Sequence, residues 1–254
     1  MGTSGTTPDT LGDRLAGRLF VRSAVTEVEQ IAARMRRIRL SGPRLASLSF
    51  TPGQHLRVLV SDLLSLQALR EGFRDALRTY SVWHHDPATM SIDLCVLDHG
   101  DGPGARWSRQ VAVGDDVYFK GPEGKFVLRP AAYHLFVGEE TAQVAFGGML
   151  RSLDPDTPAH GVIEVDDEAD RLPLPHAEQV TWLSRHGAGA ERSTPLVQAL
   201  RSLQLPDEPG HAYIAGEAKT CAAARRHLVQ DRGWPARSTI SVKAFWTPGK
   251  RGLE

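Results

Sequence analysis

The sequence predicts an α+β protein of two domains: an N-terminal antiparallel β-barrel, then an α/β domain with a parallel sheet. Three observations lead there. Up to about residue 130, short apolar-alternating runs recur between turn signals, with one short helix among them. Beyond it, compact apolar strands alternate with stretches of helical spacing, as in a parallel sheet covered on both faces. The length of 254 residues suits two domains of ordinary size, and 41% hydrophobic with 24% charged residues can bury a core.

Residues 1–17 lack the basic-then-apolar order of a secretion signal and read as a disordered lead-in. The barrel domain, 18–130, opens with an extended run over 19–28. Residues 35–40 alternate apolar and basic, so Arg36, Arg37 and Arg39, with Arg34 before them, read as a solvated strand face. Ser41-Gly42-Pro43 turns the chain, and residues 51–55 turn it again into a strand over 56–60. The polar stretch 63–76 is helix-compatible and reads as an excursion from the barrel. Strands over 77–83, 91–97 and 117–119 complete the set, with Pro103 suited to open the single helix.

The second domain, 131–254, begins with a strand over 133–137 and helical spacing over 141–150. Strands over 162–165 and 179–183 follow. Residues 193–203 fit a helix with Ser193 or Thr194 as cap and Pro195 in its first turn. A strand over 212–215, a helix over 219–231 and a strand over 240–246 close the pattern.

Thirty basic and thirty acidic residues cancel, which leaves no global field to recruit nucleic acid or an anionic membrane. No apolar run reaches the roughly eighteen residues of a membrane span, so no membrane insertion is expected. Cys95 and Cys221 are too few for an iron–sulfur cluster or a Cys-rich zinc site, and no metal site is expected. Both thiols sit among apolar neighbours and read as buried structural residues of a cytoplasmic protein.

The chemistry concentrates in two segments. In Arg78-Thr79-Tyr80-Ser81, alternation puts the cation and the phenol ring on one strand face and the two hydroxyls on the other. Some twenty residues on, after Leu97, comes His99-Gly100-Asp101-Gly102-Pro103-Gly104-Ala105-Arg106-Trp107, a glycine-rich turn into a helix. Gly104 lets the backbone approach closely, and the amides of Ala105 and Arg106 would face an anion. A cation, a stacking surface, a small hydroxyl and an anion pocket are what a flavin dinucleotide, FAD, requires.

A barrel, a phosphate turn and an α/β half in that order resemble the ferredoxin–NADP reductase superfamily. The resemblance implies that Arg78 pairs the flavin pyrophosphate, Tyr80 packs on the ring and Ser81 lies near flavin N5. The chain more closely resembles the siderophore-interacting proteins, FAD-dependent ferric-siderophore reductases, over roughly residues 18–250. The further segments that carry this are Gly121-Pro122-Glu123-Gly124, Gly138-Glu139-Glu140-Thr141-Ala142, Tyr213-Ile214-Ala215-Gly216-Glu217-Ala218, Ala224-Arg225-Arg226-His227-Leu228 and Ala244-Phe245-Trp246-Thr247-Pro248-Gly249. It implies that Thr141 and Ala142 face the nicotinamide and flavin rings.

Glu140, Gly216, Glu217 and Arg185 are expected near NAD(P)H, at the carboxyl ends of the parallel strands. An acidic stretch, Asp166-Asp167-Glu168-Ala169-Asp170, reads as a solvated loop or a ribose sensor favouring NADH, while Arg185 or His186 would suit a 2′-phosphate. Arg57, Lys125 and Lys250 are candidate cations for an anionic ferric chelate. Three positions depart from the family pattern: Trp83 replaces a usual basic residue, Val144 a proline and Thr247 an arginine. The first two are expected near the flavin and the pyridine nucleotide.

The expected activity moves electrons from NAD(P)H, or a reduced ferredoxin, through FAD to a ferric siderophore, releasing ferrous iron. A general flavin reductase serving an oxygenase or quinone, and a non-catalytic flavin or siderophore carrier, stay open as alternatives.

Overall fold

A computed structural model describes residues 20–60 and 76–249. The tail over 1–17, the excursion over 63–75 and Lys250 lie outside the described residues. Six strands close a barrel: β1 (Val21–Ala32), β2 (Met35–Ser41), β3 (His55–Leu59), β4 (Leu77–Asp86), β5 (Ser91–Leu97) and β6 (Asp116–Glu123). Their order is β1-β2-β5-β4-β3-β6, with every neighbouring pair antiparallel. The inward-facing residues of the period-two pattern, among them Ile38, Leu40, Leu56, Val58, Leu94 and Phe119, form the barrel core. Helix α1 (Pro103–Gln110) packs its Trp107 against that core.

The second half is a five-stranded parallel sheet of β7 (His134–Glu139), β8 (Ala159–Val165), β9 (Val180–Ser184), β10 (His211–Glu217) and β11 (Ile240–Trp246). Its order β11-β10-β7-β8-β9 reverses direction between β7 and β10, which opens a crevice at their carboxyl ends. Helices α2 (Gln143–Leu150), α3 (Thr194–Ser202), α4 (Ala218–Arg226) and the short α5 (Ala236–Thr239) join the strands. Ser193 caps α3 by accepting the Leu196 amide at 3.1 Å, with Pro195 behind it in the first turn. The expected helix over 219–231 divides: α4 ends at Arg226 and a π-turn carries on over His227–Asp231. No helix among the described residues is long and apolar enough to cross a membrane.

What lies opposite in space changes how several of these residues read, and corrects one expectation outright. The arginines of β2 are not a solvated face. Antiparallel pairing sets Arg39 against Glu27 and Arg37 against Glu29, and both arginines also reach the buried Asp93 of β5, with Arg39 Nε donating to it at 2.8 Å. The acidic stretch 166–170 is exposed over 167–169, as expected of a solvated loop, and is anchored at its end: Asp170 is buried and accepts from Arg34 Nε at 3.0 Å and Arg34 Nη2 at 2.8 Å. Trp83 and Val144 are both buried. Both belong to one apolar cluster that draws Met35, Trp83, Cys95 and Phe126 from the barrel half and Phe136, Val144, Phe146 and Met149 from the sheet half.

The Trp83 indole lies against Gly147 of α2, where a Cβ would collide with the ring. Arg151 stacks its guanidinium 4.3 Å from the indole centre and donates to the Trp83 carbonyl at 2.9 Å. The large aromatic therefore fills the seam between the halves.

Cys95 and Cys221 are both free and buried, in two different apolar clusters. Burial pushes the Cys95 thiol well up and the Cys221 thiol up to about 12. With Ellman's reagent at pH 8, the folded chain is expected to show no reactive thiol and the guanidinium-unfolded chain two. A thiol that reacts promptly in the folded state would refute this placement.

Candidate functional site: a barrel-to-sheet crevice

On β4 the alternation falls as expected. Arg78 and Tyr80 stand opposite Val58 and Leu56 of β3, while Thr79 and Ser81 stand opposite Arg57 and His55 on the outer face. Tyr80 is held in place by Trp107, with ring centres 5.6 Å apart and planes 27° apart. Burial pushes the Tyr80 phenol up, so it stays protonated.

Gly104 closes the group. A Cβ there would come 2.5 Å from the Tyr80 hydroxyl and 3.5 Å from Arg78 Cγ. A guanidinium-bearing strand, a phenol and the amino end of α1 thus meet at Gly104, where the missing Cβ lets the Tyr80 hydroxyl come this close. The first-turn amides of Gly104 and Ala105 have no carbonyl one turn back. The Arg106 amide, in contrast, bonds the Gly102 carbonyl at 3.0 Å, so its expected part in an anion pocket is corrected. The Arg106 side chain donates to the Asp101 carbonyl. His99 is exposed beside the turn, and Leu97 ends β5 half-buried.

At the sheet edge, several expected contacts become framework. Ala142 is fully buried. Glu140 is buried and gripped by Arg185, with Nη1 donating to Oε2 at 2.5 Å and Nη2 to Oε1 at 2.7 Å. Arg34 adds a third contact to Glu140 at 3.3 Å. Glu140 and Arg185 thus satisfy each other's charge. Glu217 caps α4 by accepting the amides of Lys219 and Thr220, each at 2.9 Å. Gly216 precedes it in the left-handed region at φ 122°, beside Glu139. Thr141 alone in its turn is half-buried, its neighbours Glu139, Glu140 and Ala142 being buried. Just ahead of α2, the Glu139 carboxylate takes the Thr141 amide at 2.9 Å and the Thr141 hydroxyl too.

The candidate substrate cations divide. Arg57 is half-buried on the outer face of β3, Lys125 is exposed after β6, and Lys250 lies outside the described residues. Sequence reasoning missed two partners. Lys243 of β11 reaches across from the sheet half, and its Nζ lies 2.8 Å from His55 Nδ1. Burial and the charges of Lys243 and Arg57 push His55 down to about 4, so the ring is neutral and its Nδ1 accepts from the ammonium. Cations from both halves thus border Ser81 and Thr79. Among the described residues no group of His, Cys, Asp or Glu could hold a metal ion.

Two family models match the chain. The siderophore-interacting FAD-binding domain matches residues 24–126, and the siderophore-interacting protein model matches residues 131–249. The chain belongs to the siderophore-interacting protein family.

Relatives and solved structures agree. Ferric vibriobactin reductase ViuB of Vibrio cholerae is 27% identical over 215 residues, covering 78% of each chain. A siderophore utilization protein from T. fusca superposes with a TM-score of 0.76 at 26% identity, covering 92% of this chain and 95% of the other. Phthalate dioxygenase reductase shares the fold alone, at 19% identity and a TM-score of 0.65 over 90% of this chain and 69% of the other.

Proposed function

We propose that the chain is a cytoplasmic FAD-dependent reductase that takes electrons from NAD(P)H or a reduced ferredoxin and delivers them to a ferric siderophore, releasing ferrous iron. The observation that carries this is the convergence of Arg78, Tyr80 and the amino end of α1 on the backbone of Gly104. That surface fits a dinucleotide. Arg78 supplies a cation for its pyrophosphate, and the Gly104 and Ala105 amides supply donors with the helix dipole behind them. Tyr80, braced by Trp107, supplies a flat wall, and the Thr79 and Ser81 hydroxyls sit on the strand face turned to His55 and Arg57.

Bound flavin supplies the step from hydride to single-electron chemistry. The protein's share is positioning. Thr141 faces the crevice where the donor ring would lie, on a turn fixed through Glu139 and through the Glu140–Arg185 pair. Arg57 and Lys243 attract an anionic ferric chelate to the rim beside Ser81, with Lys125 nearby in sequence after β6. The chelator fills the iron's coordination sphere, so no protein ligand to iron is required.

Arg78→Ala is expected to weaken FAD binding about ten- to a hundredfold, the worth of a charge-assisted contact to phosphate. Flavin fluorescence during titration of the apoprotein measures it, and unchanged affinity would remove Arg78 from the site. Anaerobic mixing of the FAD-loaded protein with NADH, NADPH or reduced ferredoxin, followed by flavin absorbance, identifies the donor. Failure of all three to bleach the flavin would refute the reductase and favour a carrier.

A further inference from the structure

Four buried carboxylates crowd the carboxyl edge of the sheet, and three are matched by charge or by capping. Glu140 is held by Arg185 and Arg34. Glu164 accepts from Ser193 Oγ at 2.5 Å and lies 3.7 Å from Arg185. Glu217 accepts three backbone amides, from Arg192, Lys219 and Thr220. Glu139 differs. Among the described residues no cation forms an ion pair with it, and its partners are neutral donors: the Thr141 amide at 2.9 Å, the Thr141 hydroxyl, and the Trp246 indole N–H at 3.0 Å.

The arrangement is built to keep this carboxyl where it is. Gly216 stands at φ 122°, and a Cβ there would come 2.6 Å from Glu139 Oε1. Glu139 and Gly216 flank the place where the sheet order reverses, the crevice in which ligands of such sheets lie.

The Thr141 hydroxyl has one proton to give. While Glu139 is ionised, that proton is committed to Oε1, and Thr141 offers the crevice only lone pairs. When Oε1 takes up one proton from solvent, the carboxyl becomes the donor to Thr141 Oγ1. The hydroxyl proton is then free to turn outward. One proton enters and no electron moves.

We propose that Glu139 is a positioning residue whose protonation reverses the Thr141 hydroxyl, so that the crevice offers a donor to a ring carbonyl or carboxamide at low pH and an acceptor at high pH. The occupant, a nicotinamide or flavin ring, rests on the function proposed above; the switch itself does not. Burial pushes the Glu139 carboxyl up to about 7, against the pull of the Thr141 and Trp246 hydrogen bonds, so the reversal falls near neutrality. The charged and titratable groups facing it are Glu140 on its own turn, Glu217 at the end of β10, Cys221 on α4 and Arg185 beyond β9.

Trp246 reports on the switch without any cofactor. In 15N-resolved spectra of the flavin-free chain, its indole N–H, assigned through Trp246→Phe, is expected to titrate with a midpoint near neutral pH. It should stay flat in Glu139→Gln. A flat Trp246 signal in the wild type from pH 5 to 9 would overturn the proposal. In the FAD-loaded protein, the KM for the nicotinamide donor should rise about fivefold with pH across the same midpoint, roughly one neutral hydrogen bond's worth. Thr141→Val should abolish that rise while leaving the Trp246 titration in place. A Trp246 titration with no matching change in KM would refute the link to the crevice, and the FAD site tested by Arg78→Ala would still stand.

Discussion

Replacing Arg185 by methionine is expected to remove about 3–5 kcal/mol of stability at neutral pH, the usual consequence of taking one partner from a buried ion pair. The Arg185 side chain is 8% exposed and its partners Glu140 and Glu164 are 6% and 2% exposed. Without the guanidinium, two carboxyl groups would lose their cation in a place water hardly reaches. Arg34 would still touch Glu140, but at 3.3 Å and from a more exposed position, so it offsets only part of the loss. Arg185→Lys keeps the charge yet loses the two-pronged grip on Glu140, and should fall between.

The deficit should depend on pH with a definite sign. Burial already holds the Glu164 carboxyl above the usual carboxylate range. Loss of Arg185 would lift it further, so in the variant the folded state takes up a proton before the unfolded chain does. The variant's stability is therefore fullest in acid and declines as pH rises through the native value. Urea unfolding at pH 5 and at pH 7.5 should show a smaller gap to wild type at the lower pH. A gap below about 1 kcal/mol at pH 7.5 would mean that the pair matters little.

Trp83→Ala should cost about as much, 3–5 kcal/mol, through a different cause, because it empties a large aromatic from a close-packed seam. Trp83 is 5% exposed, and its loss would also strip Arg151 of its stacking surface. The opposite wall gives an independent test. Gly147→Val puts atoms where the indole already is, and overpacking should destabilise the chain by about 1–3 kcal/mol. Because the two residues touch, the double variant should be far from additive. Additive costs in denaturant titrations would show that they do not share the seam.

The sequence displayed the strands well, because period-two alternation is a local record of which side is dry. Residues 91–97 and 240–246 match β5 and β11 to the residue. The Pro103 helix and the Ser193 cap were also legible, since both rest on residues adjacent in the chain. What alternation cannot record is the partner across space. The β2 arginines looked wet because the acids that bind them lie on β1 and β5. Arg34 and Asp170 are 136 positions apart, and Lys243 and His55 are 188 apart.

The site divides along the same line. Arg78, Tyr80, Gly104 and Trp107 were readable because two short motifs contain them all. The burial of Ala142 and the pairing of Glu140 with Arg185 were not readable, because a turn motif does not say which of its side chains point inward. Glu139 and Glu217 did leave a signal, a Gly-Glu pair closing an apolar strand in both β7 and β10. A charge at the dry end of a buried strand has to be answered by donors nearby.

The shared apolar seam has a consequence for how molecules come and go. Swinging the barrel away from the sheet half on a hinge would bring Trp83, Phe126, Phe146 and Met149 into water together. Any such opening would have to offset the exposure of that shared apolar surface, so on the proposed reading ligands are expected to enter along the rim by Arg57 and Lys243 with the two halves still joined.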